Sequence, residues 1–496
     1  MGSAFPTTLD PATEALVALF IVTQVLYTLT FLIDAYFFSL PVDWVDMSEP
    51  LTEPESEWPY VVLFYPVLRE LEATMRTTFV SLAKMDYPRD RYRIVAIPNY
   101  NDADTIASLR RLVREFDFVE IMEIPATTDP SWDLIWNAWD ANPNAYWWHQ
   151  GKRAGVKDLP PKKTRQLIYG LYHMAERLKD EPNLVINYID ADSAPPVDHF
   201  KGAAIGLKHY DVLQAQNVVG NLNPTLPTSW HAFDHMAWDG YKYPHLSAHG
   251  RQPYWVLGKG LFYRVSDLIP LGGFHPWITI EDPEVGLRYW KNGKRLGILS
   301  SSLIEEVPKT WLQGITQRKR WICGFFQSLG RPLGYMGYTP WERFKAWLIF
   351  FPCLSLSVNV VGIPVGIWAL WMYFAQTHVV PTWTVWLTLA NLTLFAVTLS
   401  LLYANTWRRT GLVCTRWQDR VWYMLRINPI SAIIWWFLWI VPLFIGFRMY
   451  VLDEGLAWQR TEKIDANKIL IRRKFRRGAA APEAVAQTER EESNLE

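Results

Sequence analysis

Long apolar runs at both ends of the chain enclose a middle region with the composition of a soluble protein, and this pattern constrains the fold most strongly. The run 15–33 is about as long as a bilayer-crossing helix, which needs roughly 20 residues. Glu14 and Asp34 bracket the run, and no Lys or Arg precedes it, unlike the basic start of a secretory signal. We therefore predict an N-terminal membrane anchor with the following region in the cytoplasm, because basic residues occur only after the run.

Three further apolar segments, 346–375, 384–403 and 430–451, lie towards the C-terminus. Pro352 and Pro364 allow the first segment either to cross once with a tilt or to bend. Basic stretches flank the last segment on both sides, so this segment is re-entrant or interfacial if both stretches are cytoplasmic. Hydropathy therefore leaves three or four spans open, and we expect an integral membrane protein of a bacterial plasma membrane.

The charge balance limits the partners of the chain. It carries 49 basic and 49 acidic residues, so it lacks the net basic field that attracts nucleic acid, and we expect no nucleic-acid partner. Hydrophobic residues at 50% exclude a mostly disordered protein. The three cysteines form no CxxC pair, which indicates reduced, structural thiols.

Strand-like runs alternate with helical patterns between the apolar ends. The runs 60–65, 92–97 and 119–124 have the composition of short buried strands, and 71–84 and 106–116 carry apolar residues at helical spacing. This alternation is typical of an α/β fold, a parallel sheet with helices on its faces. Ligands of such sheets bind outside the carboxyl ends of the strands, so we look for the site there.

A further buried strand, 184–189, ends in Asp190-Ala191-Asp192. Side chains two residues apart on an extended backbone point the same way, so both carboxylates face the mouth of the sheet. Carboxylates this close raise each other's pKa unless a cation lies beside them, and such oxygen ligands suit Mg²⁺ or Mn²⁺. The alternative is an aspartate that only caps the loop after the strand.

Three motifs follow one another in a fixed order. They are Asp190-Ala191-Asp192, Glu281-Asp282 and Gln317…Arg320-Trp321. This ordered set, with Gly-Gly-Phe at 272–274, resembles the membrane-integrated family 2 glycosyltransferases, the group of cellulose, chitin and hyaluronan synthases. The resemblance covers about residues 55–340. It implies a GT-A domain, with a mixed, mainly parallel sheet and helices on both faces, inserted between transmembrane helices.

The resemblance also divides the chain into five regions. It implies an anchor and linker at 1–50, a cytoplasmic GT-A domain at 51–310, interfacial helices with the QxxRW motif at 311–345, transmembrane or interfacial helices at 346–455, and a gating-loop-like segment, basic stretch and disordered tail at 456–496.

The resemblance assigns the chemistry to two pairs of acids. Asp192, with Asp190 near it, would hold Mg²⁺ or Mn²⁺ against the diphosphate of the donor. Asp282, beside Glu281, would act as the general base that removes a proton from the acceptor hydroxyl, an effect worth roughly 10²–10⁴ in rate. The alternative for Asp282-Pro283 is a helix N-terminus at which acidic residues favour the dipole.

Further residues would bind the substrates. The resemblance places eight at the donor nucleotide: Pro66, Glu70, Asp102, Lys163, Arg165, Asp190, Gln317 and Arg320. It places two at the acceptor, Trp321 and Gly258, and three in a gating loop, Trp458, Arg460 and Thr461. The alternatives are a solvated basic turn at 162–165 and a membrane-interface role for Trp321.

Two other groups of residues stay open. One is a set of histidines without metal-ligand spacing, which we expect to be polar groups of the surface or of a pocket: His149, His231, His235, His245 and His249. The other is a cluster of tryptophans that fits either a sugar-facing insertion or a surface against the membrane: Trp132, Trp136, Trp139, Trp147 and Trp148.

The predicted function is that of a membrane-bound, inverting glycosyltransferase that uses a nucleotide sugar, with UDP as the expected nucleotide. We predict a growing β-linked polysaccharide as the acceptor, because the chain has a gating-loop-like segment. The alternatives are an enzyme that adds one sugar to a lipid, as ceramide glucosyltransferases do, and an inactive scaffold of the same fold. The low span count favours the lipid, because a polar polymer needs a polar path, which a homo-oligomer would supply.

Overall fold

The computed structural model describes residues 9–454 except 356, 376 and 378. Its strands are β1 Tyr60–Val67, β2 Tyr92–Pro98, β3 Val119–Ile121, β4 Leu184–Tyr188, β5 Val212–Val219, β6 Leu261–Arg264 and β7 Leu296–Glu305. Its helices are α1 Pro11–Ser39, α2 Glu72–Leu82, α3 Ala103–Leu112, α4 Asp133–Asp140, α5 Tyr146–His149, α6 Lys163–Arg177, α7 His199–Gly206, α8 Leu226–Ala237, α9 Val265–Leu268, α10 Asp282–Lys291, α11 Trp311–Leu329, α12 Arg331–Tyr335, α13 Pro340–Ser355, α14 Val358–Phe374, α15 Thr382–Thr410, α16 Trp417–Arg426 and α17 Ile433–Val451.

The strands form one seven-stranded sheet in the order β3-β2-β1-β4-β6-β5-β7. Neighbouring strands are parallel except at β6, which runs antiparallel to both β4 and β5. Every residue of β1, β4 and β5 is buried, because helices cover both faces of the sheet. The prediction of a mixed, mainly parallel sheet with helices on both faces is therefore confirmed.

The tryptophan cluster lies inside the protein, on one face of the sheet. Trp132 and Trp139 have no exposed surface, and Trp136 stacks between Trp132 and Trp148 with ring centroids 5.3 and 5.4 Å away. Both alternatives that the sequence left open for this cluster, a sugar-facing insertion and a membrane surface, are therefore wrong. The five rings form a core layer between α4, α5 and α6, where large aromatic side chains bury much apolar area.

The linker after α1 adds to the edge of the sheet. Val45 donates its backbone N–H to the Ile298 carbonyl at 2.9 Å, and the Ile298 N–H donates to the Asp43 carbonyl at 2.8 Å. The buried Asp43 carboxylate accepts from the His249 backbone N–H at 2.8 Å and from Arg295 at 3.0 Å. These bonds fix the end of α1 to β7, so the first apolar helix starts from a set position on the domain.

Within the described residues, three helices are long and apolar enough to cross a membrane: α1, α15 and α17. The predicted segment 346–375 falls on two helices, α13 and α14. Side chains join these helices: the Tyr27 hydroxyl donates to Asn359 Oδ1 at 2.7 Å, and Asn391 Nδ2 donates to Gln24 Oε1 at 3.0 Å. Such bonds between helices favour association in an apolar surrounding.

A single buried carboxylate connects the domain to the last apolar helix. Asp234 on α8 accepts from Arg318 on α11 at 2.7 Å, and from the indole N–H groups of Trp435 and Trp439 on α17 at 2.9 and 2.7 Å. Asp234 is 2% exposed and Arg318 is fully buried. The helices α8, α11 and α17, which are distant in sequence, are therefore joined by one buried carboxylate.

We expect Asp234→Ala to destabilise the protein strongly, because it leaves the buried Arg318 without its carboxylate. Removal of one partner of a buried ion pair costs about 3–5 kcal/mol in the free energy of unfolding. As a control, Asp419→Ala breaks the exposed pair with Arg416, which is worth about 0–1 kcal/mol. Unfolding by SDS titration in mixed micelles measures both variants, and equal losses would contradict the central role of Asp234.

Candidate active site

A cavity of about 290 Å³ opens at the carboxyl ends of β1 and β4 and extends towards α11 and α17. We call it the sheet cavity. Eleven of the residues that the sequence assigned to the site line it: Pro66, Glu70, Lys163, Asp190, Asp192, Gly258, Glu281, Asp282, Gln317, Arg320 and Trp321. The three motifs, which are far apart in sequence, therefore meet at one place, and it is the edge of the sheet where ligands of such folds bind.

Two of the predicted donor residues lie outside this cavity, near the end of β2. Asp102 precedes α3, and its carboxylate accepts the Arg69 backbone N–H at 2.6 Å. Arg165 is buried and donates to Asn99 Oδ1 at 2.5 Å. Their contact with a nucleotide stays a prediction. The predicted gating residues Trp458, Arg460 and Thr461 lie outside the described residues.

Asp282 is the first residue of α10, and Pro283 follows at a position where proline fits the first turn. The Tyr188 hydroxyl donates to Asp282 Oδ1 at 3.1 Å. Burial, and then the neighbouring Glu281 carboxylate, raise the pKa of Asp282 well above its ordinary value. Asp282 therefore starts the helix, as the alternative expected, and also lines the cavity as a carboxyl of raised proton affinity, while its role as the base stays a prediction.

Gly258 leaves room for this carboxylate. A Cβ atom at Gly258 would lie 2.4 Å from Asp282 Oδ2, closer than any real contact, so a larger residue would displace the acid. The carbonyl oxygen of Gly258 accepts from the Lys163 ammonium at 2.6 Å. The predicted acceptor residue Gly258 thus contacts the predicted base directly.

Lys163, at the start of α6, is the positive charge among these acids. Its ammonium lies 2.9 Å from Asp190 Oδ1 and 3.9 Å from Glu281 Oε1. Burial opposes the charge, but the neighbouring carboxylates, first Asp190, raise the pKa of Lys163 above its ordinary value. Lys163 therefore stays protonated and partly balances the acids of the cavity.

The rest of the basic segment is also buried. The Lys162 ammonium donates to the Ile278 carbonyl, and burial lowers the pKa of Lys162 to about 7. The Thr164 hydroxyl donates to Glu281 Oε2 at 3.1 Å, which joins α6 to the start of α10. The alternative of a solvated basic turn at 162–165 is therefore wrong, because Lys162 and Arg165 are 5% and 6% exposed.

The residues of the third motif lie on α11, which begins with a capping box between Thr310 and Gln313. Gln317 Oε1 and Arg320 Nε are buried, and neither atom has a hydrogen-bond partner within the part of the chain that the structure describes. A buried acceptor and a buried donor without partners are costly unless a ligand satisfies them. Both line the sheet cavity, so they point to a polar ligand with hydroxyl and anionic groups.

Asp190 and Asp192 fit a divalent cation by their chemistry. Both line the sheet cavity, and Asp192 Oδ2 accepts the Glu306 backbone N–H at 3.1 Å, which fixes its orientation. Two oriented carboxylates at one mouth match the oxygen ligands that Mg²⁺ and Mn²⁺ prefer. Their role as metal ligands stays a prediction.

A second group of potential metal ligands lies further inside the same cavity. Ligand atoms of His235, Asp239 and Glu305 all lie within 4.8 Å of one another, with His235 Nδ1 3.2 Å from Glu305 Oε1. The Lys259 ammonium pairs with Glu305 and already supplies positive charge there. We call these four residues the inner polar cluster. Sequence reasoning took His235 for an ordinary polar group, although its spacing of four residues from Asp239 on one helical face was a signal.

Trp321 lies beside the inner polar cluster. Its ring centroid is 5.6 Å from the His235 ring, and Trp439 of α17 lines the cavity on the same side. The cavity therefore has an anionic mouth around Asp190 and an aromatic inner end.

The mixed sheet with acidic residues at its strand ends has the architecture of a GT-A domain, and the family comparison supports a transferase. The family model of glycosyl transferase family group 2 matches residues 185–450, more than half of the chain. The chain belongs to glycosyl transferase family group 2.

Two solved structures are distantly similar to this chain. The mannosyltransferase PcManGT from Pyrobaculum calidifontis, in complex with GDP-Man and Mn²⁺, is 15% identical, with a TM-score of 0.43 over 78% of this chain and 98% of that one. A TarS fragment from S. aureus in complex with UDP-GlcNAc is 11% identical, with a TM-score of 0.32 over 82% of this chain and 95% of that one. No curated protein matches the chain.

We expect Asp282→Asn to lower the rate of sugar transfer by roughly 10²–10⁴ while donor binding changes little, because the amide cannot accept the proton. As the pH rises through the raised pKa of Asp282 its carboxyl loses the proton, so transfer by the wild type should rise with pH. Rate assays against pH, with donor affinity from calorimetry, measure both effects. The control is Asp104→Asn, at an exposed acid of α3. Equal loss of transfer and donor binding in Asp282→Asn would contradict the base assignment.

Proposed function

We propose that this transferase is a membrane-bound, inverting enzyme that moves a sugar from a nucleotide-sugar donor, expected to be a UDP-sugar, to an acceptor hydroxyl. The observation that supports it most is the position of Asp282. This carboxyl of raised pKa faces the same cavity as Asp190 and Asp192, which suit a cation, and as Arg320, whose Nε has no hydrogen-bond partner among the described residues. Glycosyl transfer from a diphosphate requires a base and groups that bind the phosphates, and one cavity holds candidates for both.

The donor end is the anionic mouth together with α11. Mg²⁺ or Mn²⁺ held by Asp192 and Asp190 would neutralise charge that develops on the diphosphate. The Arg320 guanidinium would donate to diphosphate oxygens, a charge-assisted hydrogen bond that is stronger than a neutral one. Gln317 Oε1 would accept from a hydroxyl of the sugar, which satisfies the second orphaned atom.

The acceptor hydroxyl is a weak nucleophile until its proton is removed. Asp282 Oδ2 would take this proton while Tyr188 holds Oδ1, so the acid keeps its orientation during the reaction. The hydroxyl oxygen then attacks the anomeric carbon from the face opposite the diphosphate, whose bond to that carbon breaks. This single displacement inverts the anomeric carbon, so an α-linked donor gives a β-linked product.

Two acceptors follow from the sequence, a growing β-linked polysaccharide and a lipid. The aromatic inner end, with Trp321 and Trp439, suits the apolar face of a sugar and an alkyl chain alike. The basic residues after α1 support a cytoplasmic catalytic domain. The predicted homo-oligomer stays a prediction. An inactive scaffold of the same fold would cleave no donor.

The direct test is nucleotide release by purified protein in detergent with Mn²⁺, across a panel of UDP-sugars. Release with one sugar supports the proposal and names the donor. If no UDP-sugar gives nucleotide release and the protein also binds no UDP, the inactive scaffold would be supported instead.

We expect Asp192→Asn to weaken UDP binding at least tenfold in the presence of Mn²⁺, because a metal ligand is lost, and to change little in the presence of EDTA. The matched comparison is Asp239→Asn, which removes a carboxylate of the inner polar cluster. Calorimetric titration with UDP measures both variants. If Mn²⁺ no longer strengthens UDP binding in Asp239→Asn but still does so in Asp192→Asn, the metal site would instead be the inner polar cluster.

A further inference from the structure

A second cavity, of about 480 Å³, lies among α1, α14, α15 and α17, and we call it the membrane cavity. Its volume falls within the roughly 300–1,000 Å³ that is usual for ligand sites. Gln24, Tyr27, Asp34 and Phe38 place one face of α1 along it. From Gln24 to Phe38 an α-helix rises about 20 Å, so the cavity runs along about half of α1.

The membrane cavity opens sideways. Three apolar side chains at its edge, Ile367, Leu370 and Leu392, are 65%, 56% and 56% exposed. These residues lie on α14 and α15, helices that present apolar surfaces to the bilayer. The edge of the cavity on these two helices is therefore apolar and exposed, as the entry of a hydrocarbon chain requires.

The wall of the membrane cavity is mainly apolar, although polar residues contribute to it. Those residues bond to one another across helices: Tyr27 donates to Asn359 at 2.7 Å, and Thr28 beside the cavity donates to Asn391 at 2.9 Å. A polysaccharide in such a wall would leave most of its hydroxyls without partners, at a cost for each. A hydrocarbon chain carries no such cost.

The Trp238 side chain links the membrane cavity to the sheet cavity. Trp238 lines both, and it belongs to the π-helical turn Trp238–Lys242 that follows α8. Such turns often occur at functional sites. The Lys242 ammonium lies 4.8 Å from the centre of the Trp238 ring and pairs with Asp34 of α1. On the other side of Trp238 lie the inner polar cluster and Trp321.

The charged side chains around Trp238, where the two cavities meet, determine which chemical group of a ligand fits there. Lys242 pairs with Asp34, and Lys259 pairs with Glu305. Asp239 interacts electrostatically with Arg409 and lies 3.8 Å from His235 Nδ1. The three acids and the three basic side chains balance, so this region offers a phosphate group no excess positive charge. An uncharged head with hydroxyl groups can instead bond to these carboxylates.

We propose that the membrane cavity holds the hydrocarbon chain of an uncharged hydroxyl-bearing lipid, whose head passes Trp238 and presents its hydroxyl to Asp282. This assignment rests on the proposed function and names its acceptor as a lipid. The lipid hydroxyl oxygen bonds to the anomeric carbon, its proton goes to Asp282, and the bond to the diphosphate breaks to release the nucleoside diphosphate. The product is a lipid with one β-linked sugar.

Photo-crosslinking tests the binding site without any need for turnover. The probe is diacylglycerol with a diazirine in one acyl chain, added to the full-length protein in phosphatidylcholine nanodiscs. We expect crosslinks on α1 within residues 24–38 and on α14 within 362–370, which excess dioleoylglycerol removes and phosphatidic acid does not. Crosslinks spread over the outer face of α15, or equal competition by phosphatidic acid, would overturn the assignment.

A substitution that fills part of the membrane cavity provides a second test, with a control variant on the same helix. A Cβ at Gly366 meets no atom within 4 Å, so the side chain of Gly366→Phe starts in open space at the wall of the membrane cavity. The control is Val360→Phe on the same helix, at a residue that is 44% exposed and outside the cavity lining. We expect at least a tenfold loss of the competed crosslink in Gly366→Phe and less than a twofold change in the control. Equal crosslinking in both variants would overturn the site.

Nucleotide release separates this inference from the proposed function. With a cleavable UDP-sugar, dioleoylglycerol should accelerate release by the wild type at least tenfold and yield a lipid with one sugar. Acceleration by a soluble oligosaccharide and not by dioleoylglycerol would overturn the lipid acceptor while the transferase stands. Specific crosslinks without cleavage of any UDP-sugar would contradict the proposed function and leave the lipid site supported.

Discussion

The position of α11 depends on the buried Asp234 carboxylate. Arg318 is held there by an ion pair, and the neighbouring Gln317 and Arg320 consequently face the sheet cavity. The same carboxylate fixes Trp439 of α17, which forms part of the wall of that cavity. A charge this deep is costly without partners, so the three donors must be in place together. The helices α11 and α17 are therefore positioned as one unit.

The charged residues of the sheet cavity form two separate groups. At the mouth, the Lys163 ammonium lies among the carboxyl groups of Asp190, Glu281 and Asp282, where we propose that a divalent cation binds. At the inner end, Lys259 is paired with Glu305, and the surroundings are aromatic. This division fits the proposed reaction, in which a donor with a diphosphate binds at the mouth and an uncharged acceptor binds at the inner end.

Much of the fold was predictable because the signals are local. Buried strands such as 184–189 are continuous apolar runs, and the three ordered motifs mark residues that do meet in the sheet cavity. The inner polar cluster was not predictable, because Glu305 joins His235 only through the pairing of distant strands with helix α8. The tryptophan cluster at 132–148 was misread for a related reason, since aromatic residues are equally suited to a core, an interface or a sugar site. The membrane cavity lies between helices that are more than 300 residues apart in sequence, and no single segment carries its pattern.

The most direct test of the account is the anomeric configuration of the product, read by NMR from the anomeric coupling after transfer from an α-linked UDP-sugar. A single displacement with Asp282 as the base predicts a β-linked product at all times of the reaction. An α-linked product would require a second displacement, for which the account provides no nucleophile, and would contradict it.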